Sequence, residues 1–109
     1  MHRLFAIATL TLALGACSDS TSADPNTIDV RDNSFGPSAL TVDAGTTVTW
    51  DWVGAAAHNV TWVGDTPAAS ATQTSGTYTR NFAAAGSFDY WCTIHGTETT
   101  GMRGTITLQ

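Results

Sequence analysis

A chain of 109 residues, 42% of them hydrophobic and 12% charged, has room for one small domain with one core. Its formal charge is −5 at pH 7, and beyond Cys17 three arginines stand against nine acids with no lysine. A surface without a basic footprint excludes nucleic acid as a partner, because phosphate binding rests on clustered Lys and Arg.

The first segment reads as an export signal. Arg3 gives a short positive start, and Leu4 to Leu14 is an apolar run broken only by Thr9 and Thr11. That run is too short for a membrane-spanning helix of roughly 20 residues and fits a signal-peptide hydrophobic region. The tetrapeptide Leu14-Gly15-Ala16-Cys17 resembles the lipobox of bacterial lipoproteins. The resemblance implies cleavage after residue 16 and a thioether-linked diacylglycerol on Cys17, with several acyl chains giving stable membrane anchoring. Residues 18–26 are polar and without periodicity, as expected of a tether. The expected organisation is therefore a signal peptide over 1–16, the lipidated Cys17 and tether over 17–26, and one domain over 27–109. Its expected location is the bacterial cell envelope, with the domain in the periplasm or on the outer surface. With Cys17 capped by lipid and Cys92 in a ligand motif, no disulfide is expected.

Within 27–109 apolar and polar residues alternate. Ile28 and Val30 come first, then Leu40 and Val42, then Val48, Trp50 and Trp52. Val60 and Trp62 follow, then Phe88, Tyr90 and Cys92, and last Ile106 and Leu108. Period two, rich in threonine, valine and aromatics, marks half-buried strands. Phe35-Gly36-Pro37, Asp43-Ala44-Gly45, Ala85-Gly86 and Gly101 punctuate them as turns. No helical period follows the signal region. The fold class is therefore all-β, a two-sheet sandwich. The Ala-, Ser- and Thr-rich stretch from Gly64 to Gly76 is expected to be a surface loop with one helical turn.

Four side chains carry the chemistry. Beyond residue 17 the chain has one cysteine, two histidines and one methionine: Cys92, His58, His95 and Met102. One thiolate, two imidazoles and a weak thioether are the donor set of an electron-transfer copper site. Cys92 shares parity with Phe88 and Tyr90, and His58 with Val60 and Trp62, so both are expected to point inward. They converge if their strand ends meet at one pole of the sandwich. Trp91, of opposite parity, is expected to face outward.

In these motifs the chain resembles the small blue-copper proteins of the plastocyanin and pseudoazurin type, the cupredoxins. The resemblance runs from Phe35-x-Pro37 and Leu40-x-Val42 through Gly45-x-x-Val48-x-Trp50 and His58-Asn59-Val60. It continues through Phe82-x-x-x-Gly86-x-Phe88-x-Tyr90-x-Cys92-x-x-His95 to Gly101-Met102-x-Gly104-x-Ile106-x-Leu108. It implies a Greek-key sandwich and one copper ion, with His58, Cys92 and His95 in its plane and Met102 as axial contact. Asn59 is implied to bond the thiolate through its backbone amide and to tie the two ligand loops together through its side chain. His95 is implied to be the electron's exit, and Trp91 a second route. The chain departs from plastocyanin-like sequences between His95 and Met102, where six residues intervene, two more than usual. This places Glu98 near the metal as an alternative axial ligand.

These features together lead to an expectation of outer-sphere electron transfer, with no substrate transformed and hence no enzyme. The expected partners are redox proteins that meet an acidic, monomeric domain, and the membrane through Cys17. A copper carrier or scavenger of the envelope is the alternative use of the same ligands. One cysteine excludes a binuclear centre with two bridging thiolates, and the lack of His-x-His pairs excludes a trinuclear oxidase cluster.

Overall fold

The computed structural model describes residues 25–64 and 67–109. The signal region, Cys17 and most of the tether lie outside the described residues. Eight strands form, and no helix occurs among the described residues: β1 (Thr27–Val30), β2 (Phe35–Gly36), β3 (Ala39–Val42), β4 (Thr47–Trp52), β5 (Thr61–Trp62), β6 (Thr77–Asn81), β7 (Gly86–Gly96) and β8 (Gly101–Leu108). They build two four-stranded sheets, ordered β2-β1-β4-β6 and β3-β8-β7-β5. β1 lies parallel to β4 and β3 parallel to β8, while the other neighbours are antiparallel. From β2 to β7 each successive strand lies in the other sheet, which gives the expected Greek-key sandwich.

The alternation in sequence is the alternation of burial. In β4 Val48, Trp50 and Trp52 are buried while Thr47, Thr49 and Asp51 face outward. In β8 Met102, Gly104, Ile106 and Leu108 take the inner face. The inner faces meet in an aromatic cluster in which Trp50 stands edge-on to Trp62 and Tyr90, with centroids 5.6 and 5.3 Å apart. Edge-to-face rings of this kind add to the burial itself and restrict sliding between the layers. The strand ends are therefore carried on a stiff frame.

Three elements differ from the sequence reading. Phe35-Gly36 is a two-residue strand rather than only a turn, because Phe35 is buried edge-on against Tyr90 at 4.7 Å. β6 was not expected, since its inward positions are Tyr78 and Arg80 and so carry no aliphatic pattern. The Arg80 guanidinium lies 4.4 Å from the ring centres of Trp62 and Phe82, and 5.0 Å from Phe88, closing the core as a cation–π lid. The stretch from Gly64 to Gly76 holds no helical turn among its described residues. Its Ser70–Gln73 part instead pairs with the chain at His58 and Val60, through a bridge at Gln73 and a bond from the Ser70 amide.

Candidate metal centre

His58 lies just before β5 and is completely buried. Its amide donates to the Gln73 carbonyl and its carbonyl accepts from the Gln73 amide, both at 3.0 Å. The Trp52 indole N–H reaches the same carbonyl at 3.3 Å. Two residues on, Val60 N–H donates to Ser70 Oγ at 2.8 Å. The segment from Ser70 to Gln73 thus clamps the segment before β5 that presents the first imidazole.

Cys92 and His95 both lie on β7. On a regular strand, residues three apart project to opposite faces. The pairing of β7 with β8 shifts register between Trp91 and Gly96, and this irregularity turns the chain so that both side chains face one point. Cys92 Sγ is 3.7 Å from His58 Nδ1 and 3.9 Å from His95 Nδ1, and the two Nδ1 atoms are 3.1 Å apart. The three donors form a group with every pair within 4.8 Å. A first-row ion about 2.0–2.1 Å from each nitrogen and about 2.3 Å from the sulfur in a trigonal plane sets them roughly 3.5–3.8 Å apart. The observed triangle fits one such ion after small adjustments. Cys92 is buried and free of any disulfide, whereas His95 is exposed.

Met102 is 2% exposed at the start of β8. It follows a hairpin rather than an open loop. Gly96 pairs with Gly101, and Thr97 to Thr100 form the turn, with the Thr97 amide donating to the Thr100 carbonyl at 2.8 Å. The Thr99 and Thr100 amides both donate to Thr97 Oγ1. At the neck the two glycines permit close backbone approach. A Cβ on Gly96 would sit 2.6 Å from Met102 N, and Gly101 has a φ of 81°, where L side chains are strained. Glu98 sits exposed in the turn and does not join the donor group. Its backbone carbonyl accepts from Arg103 Nε at 2.8 Å.

Asn59 bridges the ligand segments. Its Nδ2 donates to Thr93 Oγ1 at 2.8 Å and Thr72 Oγ1 at 3.0 Å. Its Oδ1 accepts from the Thr93 amide at 3.0 Å and from Thr61 Oγ1 at 3.1 Å. Residues beside His58 and Cys92 are thereby locked together. Trp91 is half-buried on the outer face, with Thr61 and Arg103 as its register partners.

One neighbour carried no sequence signal. Asp32, in the turn between β1 and β2, places Oδ1 3.9 Å from His58 Nε2. That oxygen also accepts from the amides of Ala55 at 2.7 Å and Ala56 at 3.0 Å. Those amides, Ala56 first, hold the Asp32 carboxyl below the usual carboxylate range. Burial holds His58 below the ordinary imidazole value, and His95 pushes the same way while Asp32 opposes both. Before a metal binds, the pocket therefore favours neutral His58, the form that can ligate.

Residues 23–109 match the family described as copper binding proteins, plastocyanin/azurin family. The chain belongs to that family. This cupredoxin is 33% identical over 86 residues to plastocyanin of Scenedesmus fuscus, covering 69% of the chain and 86% of that protein. It also resembles the solved amicyanin of Paracoccus versutus at 28% identity and a TM-score of 0.62, over 81% of this chain and 84% of that one. The purple cupredoxin of Nitrosopumilus maritimus shares the fold, at a TM-score of 0.65 and 21% identity, over 76% of this chain and 98% of that one. His58, Cys92 and His95 form a candidate site for one copper ion in this cupredoxin.

Proposed function

We propose that the protein passes single electrons between redox proteins of a bacterial envelope, through one copper ion that His58, Cys92 and His95 would hold together with the Met102 thioether. The convergence of one thiolate and two Nδ1 atoms within 3.1–3.9 Å carries this reading. When bound, copper supplies a one-electron couple. The chain's part is to hold the donors still. The Gln73 bridge, the Trp52 indole and the Asn59 bonds fix His58 and Cys92, so little has to rearrange as charge changes. Such fixed ligands favour electron transfer over metal exchange. His95, exposed beside the half-exposed Ile94, offers the short way out for the electron. In this reading the backbone amide of Asn59, one residue from the first ligand, donates to the Cys92 thiolate. The lipid on Cys17 confines the domain near membrane oxidoreductases. Copper-loaded protein is expected to be intensely blue through thiolate-to-copper charge transfer, and Cys92→Ser colourless. A colourless wild type with full copper occupancy overturns the proposal.

A further inference from the structure

His58 is fully buried, and its Nε2 has no hydrogen-bond partner among the described residues. Its Nδ1 is the atom that faces Cys92 Sγ and His95 Nδ1. If Nδ1 holds the metal, as the function proposed above requires, the ring's single proton sits on Nε2. A buried N–H without an acceptor is unfavourable, and native interiors rarely leave one. The Asp32 carboxylate stands within ion-pair distance, with Oδ1 3.9 Å away.

The surroundings hold that carboxylate in place. Two successive amides, of Ala55 and Ala56, donate to the same Oδ1. Gly54 makes room for it, since a Cβ there would collide with Oδ1 and sit 2.9 Å from Cγ. The separation exceeds the 2.7–3.2 Å of a hydrogen bond, and a shift of under about 1.2 Å in the exposed turn carrying Asp32 closes it.

We propose that Asp32 is the positioning residue for His58: in the metal-loaded protein its carboxylate accepts the Nε2–H, fixing ring orientation and tautomer and lowering the copper reduction potential. An anionic acceptor on the far nitrogen makes a ligating imidazole a stronger donor, which favours Cu(II) over Cu(I). The inference rests on the copper reading above but concerns a different contact.

The test uses the mature protein and three variants. Asp32→Asn keeps an oxygen for the Ala55 and Ala56 amides while removing the charge; Asp32→Ala removes the acceptor; Gly54→Ala keeps Asp32 but displaces it. In the zinc-loaded, redox-silent wild type, the His58 Nε2–H proton resonance is expected downfield and slow to exchange with water. It is expected to move upfield in Asp32→Asn and to broaden by exchange in Asp32→Ala and Gly54→Ala. In the copper-loaded proteins all three variants are expected to favour Cu(I) by roughly tenfold, an upward shift of about 59 mV for a one-electron couple. A wild type that is blue, with the same Nε2–H resonance and potential in all three variants, overturns the role of Asp32 and leaves the copper reading intact. A wild type that binds copper without colour overturns the copper reading instead, and the zinc spectra still decide for or against the Asp32 contact.

Discussion

Asn59→Ala tests whether the two ligand-bearing segments are held by one side chain. The truncation removes four hydrogen bonds, two to Thr93 and one each to Thr72 and Thr61. Each is worth about 1 kcal/mol net, which sets an upper bound of about 4 kcal/mol. Thr72 is exposed and Thr61 half-exposed, so their hydroxyls recover much of the loss from water. The two Thr93 bonds join β7 to the His58 segment; the Thr93 hydroxyl is exposed and recovers as well, whereas the bond from the Thr93 amide to Asn59, itself 6% exposed, is the part least recovered. The expected destabilisation of the metal-free protein is about 1–2 kcal/mol. Thr72→Val, which removes one exposed bond, should cost under about 1 kcal/mol. Urea unfolding at equilibrium with a chelator present measures both, read as a change of midpoint at unchanged slope. Stopped-flow copper release should also quicken in Asn59→Ala. An Asn59→Ala protein within about 0.5 kcal/mol of wild type refutes the view that this side chain ties the site together.

Two further substitutions probe β8. Gly104→Ala would drive a Cβ into the Tyr90 phenol ring, which is fully buried and wedged among Phe35, Trp50 and Trp62. Overpacking of a rigid ring is expected to cost about 2–3 kcal/mol in urea unfolding, and a neutral result means the ring has room to move. Met102→Leu keeps the buried volume and removes the thioether. Copper binding and colour should survive on three donors while the potential rises, and a complete loss of copper in equilibrium dialysis contradicts a weak axial role.

Where a strand puts aliphatic or large aromatic residues on every second position, as in Val48-x-Trp50-x-Trp52 and Met102-x-Gly104-x-Ile106-x-Leu108, its existence and its inner face were legible in the sequence. β6 was not, because a core edge closed by Tyr78 and Arg80 reads as an exposed segment. The donors were legible because beyond residue 17 the chain has no other cysteine, histidine or methionine, and three of them do converge. How Cys92 and His95 reach one point was hidden, since it depends on an irregularity in pairing that no local motif encodes. Asp32 was invisible for a related reason: an acid in an exposed turn is ordinary. Only the fold brings it beside backbone amides more than twenty residues away.

The Thr97–Thr100 hairpin bears on how this part of the molecule can vary in length. Between paired strands each added residue exchanges inside for outside, so one insertion would swing Met102 away from the core. Adding residues in twos leaves it where it is, with the Gly96–Gly101 neck undisturbed. The surplus of two residues over plastocyanin-like chains obeys this arithmetic of even steps. The hairpin can therefore be lengthened or trimmed by whole rungs, while the buried thioether keeps its side of the sheet.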